Sequence, residues 1–312
     1  MDAAEPDMTN PRADRVKDVA RLATRPGRTK RMAFLAEGPL AVREALASHD
    51  EAASAGRRGI VQEVFATPEM LERHPELGVL RDGVRLRTAS AQVVAAMADT
   101  VTPQGVVAVC RIPETTLDDV FSKGPRLVAV LCRIQDPGNA GTILRAADAA
   151  GADAVVLIEG SVDIYNPKAV RSTVGSVFHL PIATAVPFGE LVEAAARAEV
   201  QLLAADGYGA VDLDALQDAS AGRRLAAGDT AVVQDAPRLE DATAWLFGNE
   251  AQGLAESELA AAGHRVAVPL YGVAESLNVG TAATVCLYAS ARAQRRAGQL
   301  PTTAGDGRPA GA

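Results

Sequence analysis

The most constraining feature of the chain is an uninterrupted apolar run, Leu127 to Cys132 (LVAVLC). It is followed by a glycine-containing turn, a helical pattern from Thr142 to Ala150 and a second apolar run, Ala154 to Ile158. A strand with no polar alternation is covered on both faces. Strand, turn, helix and strand therefore make a βαβ unit with parallel neighbours. The pattern continues downstream. Asn166-Pro167 opens a helix through Val177, Leu191 to Ala198 reads as helical, and Pro181 to Thr184, Gln201 to Ala205, Ala244 to Phe247 and Arg265 to Val268 read as strands. Asn278 to Ala293 closes the unit as a helix, and Gln217 to Thr243, rich in Ala, Asp, Gly and Arg, reads as a long irregular excursion.

A second, smaller α/β pattern precedes it, and two domains are the natural prior for 312 residues. Pro11 to Ala23 fits a short amphipathic helix, and Arg25 to Arg31 (RPGRTKR) an exposed basic turn. Strands are expected at Met32 to Glu37, Ile60 to Ala66, Val84 to Thr88 and Gly105 to Arg111, with helices opening at Pro39, at Pro68 and after Ser90. The expected organisation is a disordered 1–10, a small α/β domain over 11–112, a linker over 113–126, a larger α/β domain over 127–296 and a disordered tail over 297–312.

Composition narrows the chemistry. Cys110, Cys132 and Cys286 are far apart among apolar residues, which predicts buried free thiols, and the scattered histidines suggest no metal site. No stretch reaches the roughly eighteen apolar residues of a membrane helix, and the N-terminus lacks a signal core, so the expected compartment is the cytoplasm. Formal net charge is -8, yet residues 10–31 hold eight basic residues against two acids. Such a run is either a solvated face or a set of phosphate contacts.

Three turns dense in small and polar residues sit where apolar runs end: Asp136 to Thr142, Gly248-Asn249-Glu250 and Glu275 to Asn278. Polar groups at strand ends suggest a site. Arg145, four residues after Gly141, lies about one helical turn on and can hold a phosphate or carboxylate through two parallel bonds. Glu250 can accept a hydrogen bond from Arg145 or from a substrate hydroxyl. Ser276 and Asn278 can face one side of an extended turn with Leu277 opposite, or cap the last helix. The glycine spacing is not that of a dinucleotide or P-loop site.

Order and spacing join these turns. N-x-G-x-x-x-R at 139–145, F-G-N-E at 247–250 and V-P-L-x-G-x-x-E-S-L-N-V at 268–279 together resemble the SpoU (TrmH-like) branch of the SPOUT RNA methyltransferases. Pro167 to Ser172 with Gly175, Thr102 to Gly105 and Glu37-Gly38 extend the likeness over most of residues 15–295. The chain departs at Gly280-Thr281, where a Ser-Val pair is frequent, and in the length of 217–243.

The resemblance implies a parallel sheet threaded into a trefoil knot that binds S-adenosylmethionine, main-chain cofactor contacts at Gly248, Val268 and Leu277, a homodimer, and an RNA-binding N-terminal domain of a ribosomal-protein type. It implies methyl transfer to a ribose 2′-hydroxyl of RNA, ribosomal rather than transfer RNA, with Arg145, Asn139, Glu250, Ser276 and Asn278 as catalytic-pocket residues and no metal. A guanidinium with pKa above about 12 is a poor base, so Arg145 is expected to hold phosphate and stabilise charge on the developing alkoxide. The competing readings are a transfer-RNA enzyme and an inactive RNA-binding protein of the same fold.

Overall fold

A computed structural model describes residues 6–225 and 236–295. Strands β1 (Ala33–Glu37), β2 (Val61–Ala66), β3 (Arg85–Thr88) and β4 (Val106–Arg111) form a sheet in the order β1-β4-β2-β3. Strands β5 (Leu127–Leu131), β6 (Ala154–Ile158), β7 (Ile182–Val186), β8 (Gln201–Ala205), β9 (Val211–Asp212), β10 (Thr243–Phe247) and β11 (His264–Ala267) form a second sheet. Its order is β7-β6-β5-β10-β8-β11-β9, with parallel pairing throughout.

Every residue of β5, β6 and β10 is buried, as apolar runs without alternation require. Ala129, Leu131, Trp245 and Phe247 pack with Ile143, Leu144, Cys286 and Leu287 of the helices Pro137–Ala150 and Val279–Gln294. Val128, Val130 and Leu246 point the other way, to Leu191, Ala194 and Ala195 of the helix Phe188–Arg197. Each such large side chain contributes about 1.5–3 kcal/mol on burial. The Trp245 indole N–H donates to Ser290 Oγ at 2.9 Å, so the largest core side chain leaves no orphan donor. All three cysteines are buried and free, and burial pushes the Cys286 thiol up to about 12.

From β5 the chain winds outward through β6 and β7, then crosses back to build β8 and insert β10 beside β5. The strand order therefore reverses between β5 and β10. In open parallel sheets ligands bind in the crevice at the carboxyl ends of the strands at such a point. Two of the three polar turns begin there.

The structure departs from several expectations. The basic turn at Arg25 to Arg31 is a helix, opened by the Thr24 hydroxyl accepting from Gly27 N–H with Pro26 in its first turn, and its Arg28 is buried. Arg28 pairs with Asp163 at 2.6 Å and donates to the Leu22 and Ala23 carbonyls, so a tertiary ion pair holds what the sequence shows as an exposed segment. The 113–126 linker contains the helix Leu117–Phe121, whose Val120 and Phe121 are buried in the core of the second sheet. The Gln217 excursion begins as a helix, Leu213–Leu225, while 226–235 lie outside the described residues. Of the N-terminal stretch expected to be disordered, Met8 is tied to β3 by main-chain bonds with Thr88 and Ser90; residues 1–5 and the tail from 296 lie outside the described residues. The short strand β9 and the helix Glu256–Ala261 have no counterpart in the sequence pattern.

The two units meet along β1. Phe34 stacks on Phe178 at 5.8 Å and lies 4.9 Å from Tyr165. Arg171 pairs with Glu37 and Asp99, and His179 bridges Asp148 at 2.8 Å and Glu44 at 3.2 Å.

Candidate active site

The turn at Asp136 to Thr142 is the first turn of the helix Pro137–Ala150, not a loop before it. Asp136 caps it by accepting from Asn139 N–H at 2.9 Å, and Pro137 occupies the first position, where its missing N–H costs nothing. That bond, then Lys168 at 3.1 Å, hold the Asp136 carboxyl below its usual range. Gly141 is required by packing: a Cβ there would sit 1.8 Å from Ser172 Oγ, so the helix Pro167–Ser172 lies directly against it.

Three of the expected site residues come together. Asn139 Nδ2 donates to Glu250 Oε1 at 2.8 Å, and Asn278 Nδ2 donates to Asn139 Oδ1 at 3.0 Å. Asn278 Oδ1 in turn accepts from Gly280 N–H at 2.9 Å and caps the helix Val279–Gln294. The cap expected of Asn278 is thus made by its Oδ1, while its Nδ2 is spent on Asn139. Asn139 and Asn278, 139 positions apart, are joined because the two helices pack side by side, and Glu250, 111 positions from Asn139, is brought there by β10 lying beside β5; Gly280 lets the helices close, its would-be Cβ falling 2.8 Å from Thr142.

Arg145 is not part of this network. It is exposed and has no hydrogen-bond or ion-pair partner among the described residues; the hydrogen bond to Glu250 comes from Asn139 instead. Arg145 lies six positions beyond Asn139 on the same helix, a rotation of about 240° that takes it off the Asn139 face. Ser276 is exposed and Leu277 half-buried immediately before the Asn278 cap. Val268 follows β11 directly, and Gly248 follows β10, its α-carbon so close to the Gly253–Leu254 peptide that a Cβ would meet Gly253 C at 2.4 Å.

The framework beneath these residues has no signature in the sequence. Arg133, at the end of β5, has a φ of 56°, a strained backbone for a non-glycine residue. Several contacts hold it: its guanidinium pairs with buried Glu258, and its carbonyl accepts from Asn249 Nδ2 at 2.9 Å and Gln135 Nε2 at 3.1 Å. No local pattern links positions 133, 249 and 258. The capped start Asp136-Pro137, in contrast, is a readable helix signal.

Comparison with known proteins identifies relatives of both units. Residues 126–288 match the SpoU rRNA Methylase family and residues 13–108 the MRM3-like substrate binding domain. The 23S rRNA (guanosine(2553)-2′-O)-methyltransferase RlmP of Bacillus subtilis is 37% identical over 277 residues, spanning 88% of this chain and 94% of its own. The AdoMet-bound rRNA methyltransferase of Sinorhizobium meliloti superposes with a TM-score of 0.71 at 28% identity, over 91% of this chain and 97% of that one. The SpoU methyltransferase AviRb of Streptomyces viridochromogenes, in complex with AdoMet, does so with a TM-score of 0.69 at 26% identity, over 90% and 98%. With more than half its length matched, the chain belongs to the SpoU rRNA methylase family.

Proposed function

We propose that the protein is an S-adenosylmethionine-dependent methyltransferase acting on a ribose 2′-hydroxyl of ribosomal RNA. The observation that carries this reading is the Asn139–Glu250–Asn278 network at the reversal point of the parallel sheet, in a chain similar over most of its length to a 23S rRNA 2′-O-methyltransferase.

The residues present fit the cofactor. Segment 268–277 makes no main-chain hydrogen bond among the described residues, so its N–H and C=O groups are free to meet an adenosyl and amino-acid moiety. Main-chain groups of Gly248, which follows β10, and of Val268 and Leu277, which border the segment, complete the proposed cofactor site. Bound S-adenosylmethionine supplies an electrophilic methyl on a sulfonium.

The chain's own residues then have three tasks. Asn139 uses both ends of its amide on Glu250 and Asn278, which fixes the Glu250 carboxylate while leaving Oε2 to accept from the ribose hydroxyl. That acceptance orients the oxygen toward the methyl and takes up the hydroxyl proton as the O–CH3 bond forms. Arg145, exposed and without a partner among the described residues, holds an RNA phosphate next to the target. Ser276 lines the same pocket mouth. The trefoil knot, a homodimer, a cytoplasmic location and the domain boundaries at 11–112 and 127–296 belong to the same proposal.

The experiment is transfer of tritiated methyl from S-adenosylmethionine to 23S rRNA, with transfer RNA in parallel. Alkali-resistant labelled dinucleotides from 23S rRNA are expected, since a 2′-O-methyl group blocks cleavage. Label in mononucleotides, label confined to transfer RNA, or none alongside calorimetrically silent cofactor would overturn it.

A further inference from the structure

Away from the site, the N-terminal unit has a cleft of about 470 Å³ lined by Arg15, Arg31, Arg58, Arg85 and Arg87, with Glu63 the only acid in its wall among the described residues. Five guanidinium groups face one carboxylate in a chain whose formal net charge is -8. Glu63 is 4% exposed and already shared, at 2.5 Å with Arg15 and 3.7 Å with Arg85. The Arg58 and Arg87 side chains have no hydrogen-bond or ion-pair partner among the described residues, and Arg87 Nε is a buried donor with nothing to donate to. Burial, then the Arg58 charge, hold neighbouring Arg111 below its ordinary value. Glu63 offsets only part of five crowded like charges, and a polyanion would supply the missing counter-charge.

The cleft and the candidate active site are on different sides of the N-terminal sheet. Phe34 of β1 turns toward Tyr165 and Phe178 of the larger unit, whereas Leu35 turns to the opposite face and packs with Phe65, Val16 and Val19. Alternation places Glu63 on the Phe65 face, and Arg85 and Arg87 pair in register with Glu63 and Phe65. The cleft therefore opens on the face carrying Arg15, with the sheet between it and the larger unit.

We infer that this arginine cleft is a docking site for the phosphodiester backbone of ribosomal RNA at a distance from the methylated ribose. The inference rests on the proposed RNA substrate and adds a second anchoring point. Phosphate contacts position without reading sequence, so the cleft raises affinity and sets the path of the RNA past the sheet edge. It takes no part in chemistry.

The test is an Arg58→Ala/Arg85→Ala double variant of the full chain, with 23S rRNA transcript as probe. Filter binding across a salt series is expected to show at least tenfold weaker binding, and a slope of log affinity on log salt shallower by about 0.7–0.9 for each phosphate no longer neutralised. In turnover, KM for the RNA rises while kcat at saturating RNA and calorimetric S-adenosylmethionine affinity stay unchanged; the Lys/Lys double variant recovers much of the affinity. Unchanged RNA affinity and salt slope would overturn the inference, as would an equal loss in kcat. Should circular dichroism show the double variant misfolded, Arg58→Ala alone, in an exposed loop, carries the same reading at a smaller effect. Binding is measured without turnover, so an unaltered protein that binds RNA through the cleft but transfers no methyl would refute the enzyme and spare the cleft.

Discussion

The segments that follow β10 and β11 are built in opposite ways. After β10, residues 248–254 are tied down: Asn249 and Gly253 exchange main-chain bonds at 3.1 and 2.8 Å, Asn249 Oδ1 accepts from Ala251 and Gln252, and Asn249 Nδ2 reaches the Arg133 carbonyl. After β11, residues 268–277 have no main-chain hydrogen bond among the described residues; only the Tyr271 hydroxyl is engaged, by Asp214. Leu270, Tyr271 and Val273 are exposed. The first is a wall complete in itself. The second leaves its main-chain polar groups without partners among the described residues, and such segments are drawn from the low-stability part of a fold.

The contrast can be broken most severely at Glu258. It is 2% exposed, pairs with Arg133 and accepts from Ala255 N–H at 2.7 Å, so Glu258→Ala is expected to cost about 3 kcal/mol, the lower end for a broken buried pair because Arg133 is partly exposed. Chemical denaturation measures it, and a destabilisation below about 1 kcal/mol would mean the β10 side is not held by this pair. Gly248→Val should cost about 1–3 kcal/mol through the clash with the Gly253–Leu254 peptide, with S-adenosylmethionine affinity falling at least tenfold by calorimetry. Asn139→Ala should stay within about 1 kcal/mol of the unaltered stability yet lower turnover more than tenfold, because Glu250 loses its orientation.

The seam between the units is of the tied kind and responds to pH. The hydrogen bond that the His179 ring donates to Asp148, opposed by partial burial and supported by Glu44, pushes His179 up to about 9. A raised histidine contributes stability that is fully present below its unfolded value, near 6.5, and is lost as pH rises through about 9. Stability should fall modestly over that window and His179→Ala should flatten the fall, the effect being screened because His179 is half-exposed. The smallest expected effect lies in the open segment: Ser276→Ala should change stability by less than about 0.5 kcal/mol while weakening turnover.

What is legible in the sequence is whatever local periodicity or capping encodes. Fully apolar β5, β6 and β10, the Ser90 cap and the Asn278 cap follow from composition and spacing alone. The helix at Arg25–Arg31 is hidden because Pro and Gly read as a turn, and the ion pair that secures Arg28 lies 135 positions away. The site is half legible. Motif order points to Asn139, Glu250 and Asn278, but their mutual bonds depend on the packing of two helices, and the Arg133–Glu258 clamp depends on β10 lying beside β5. Arg145 shows a limit of spacing: the hydrogen bond to Glu250 that spacing allowed it is made by Asn139 instead, and Arg145 stands exposed on the same helix.

Hydrogen–deuterium exchange with and without S-adenosylmethionine tests the central contrast most directly. The amides of 270–277 are expected to exchange freely in the unliganded protein and to gain at least tenfold protection when the ligand is added, while those of 249–254 begin protected and change little. Exchange at 270–277 that stays unaltered on saturation with S-adenosylmethionine would contradict the assignment of this segment as the cofactor-holding wall.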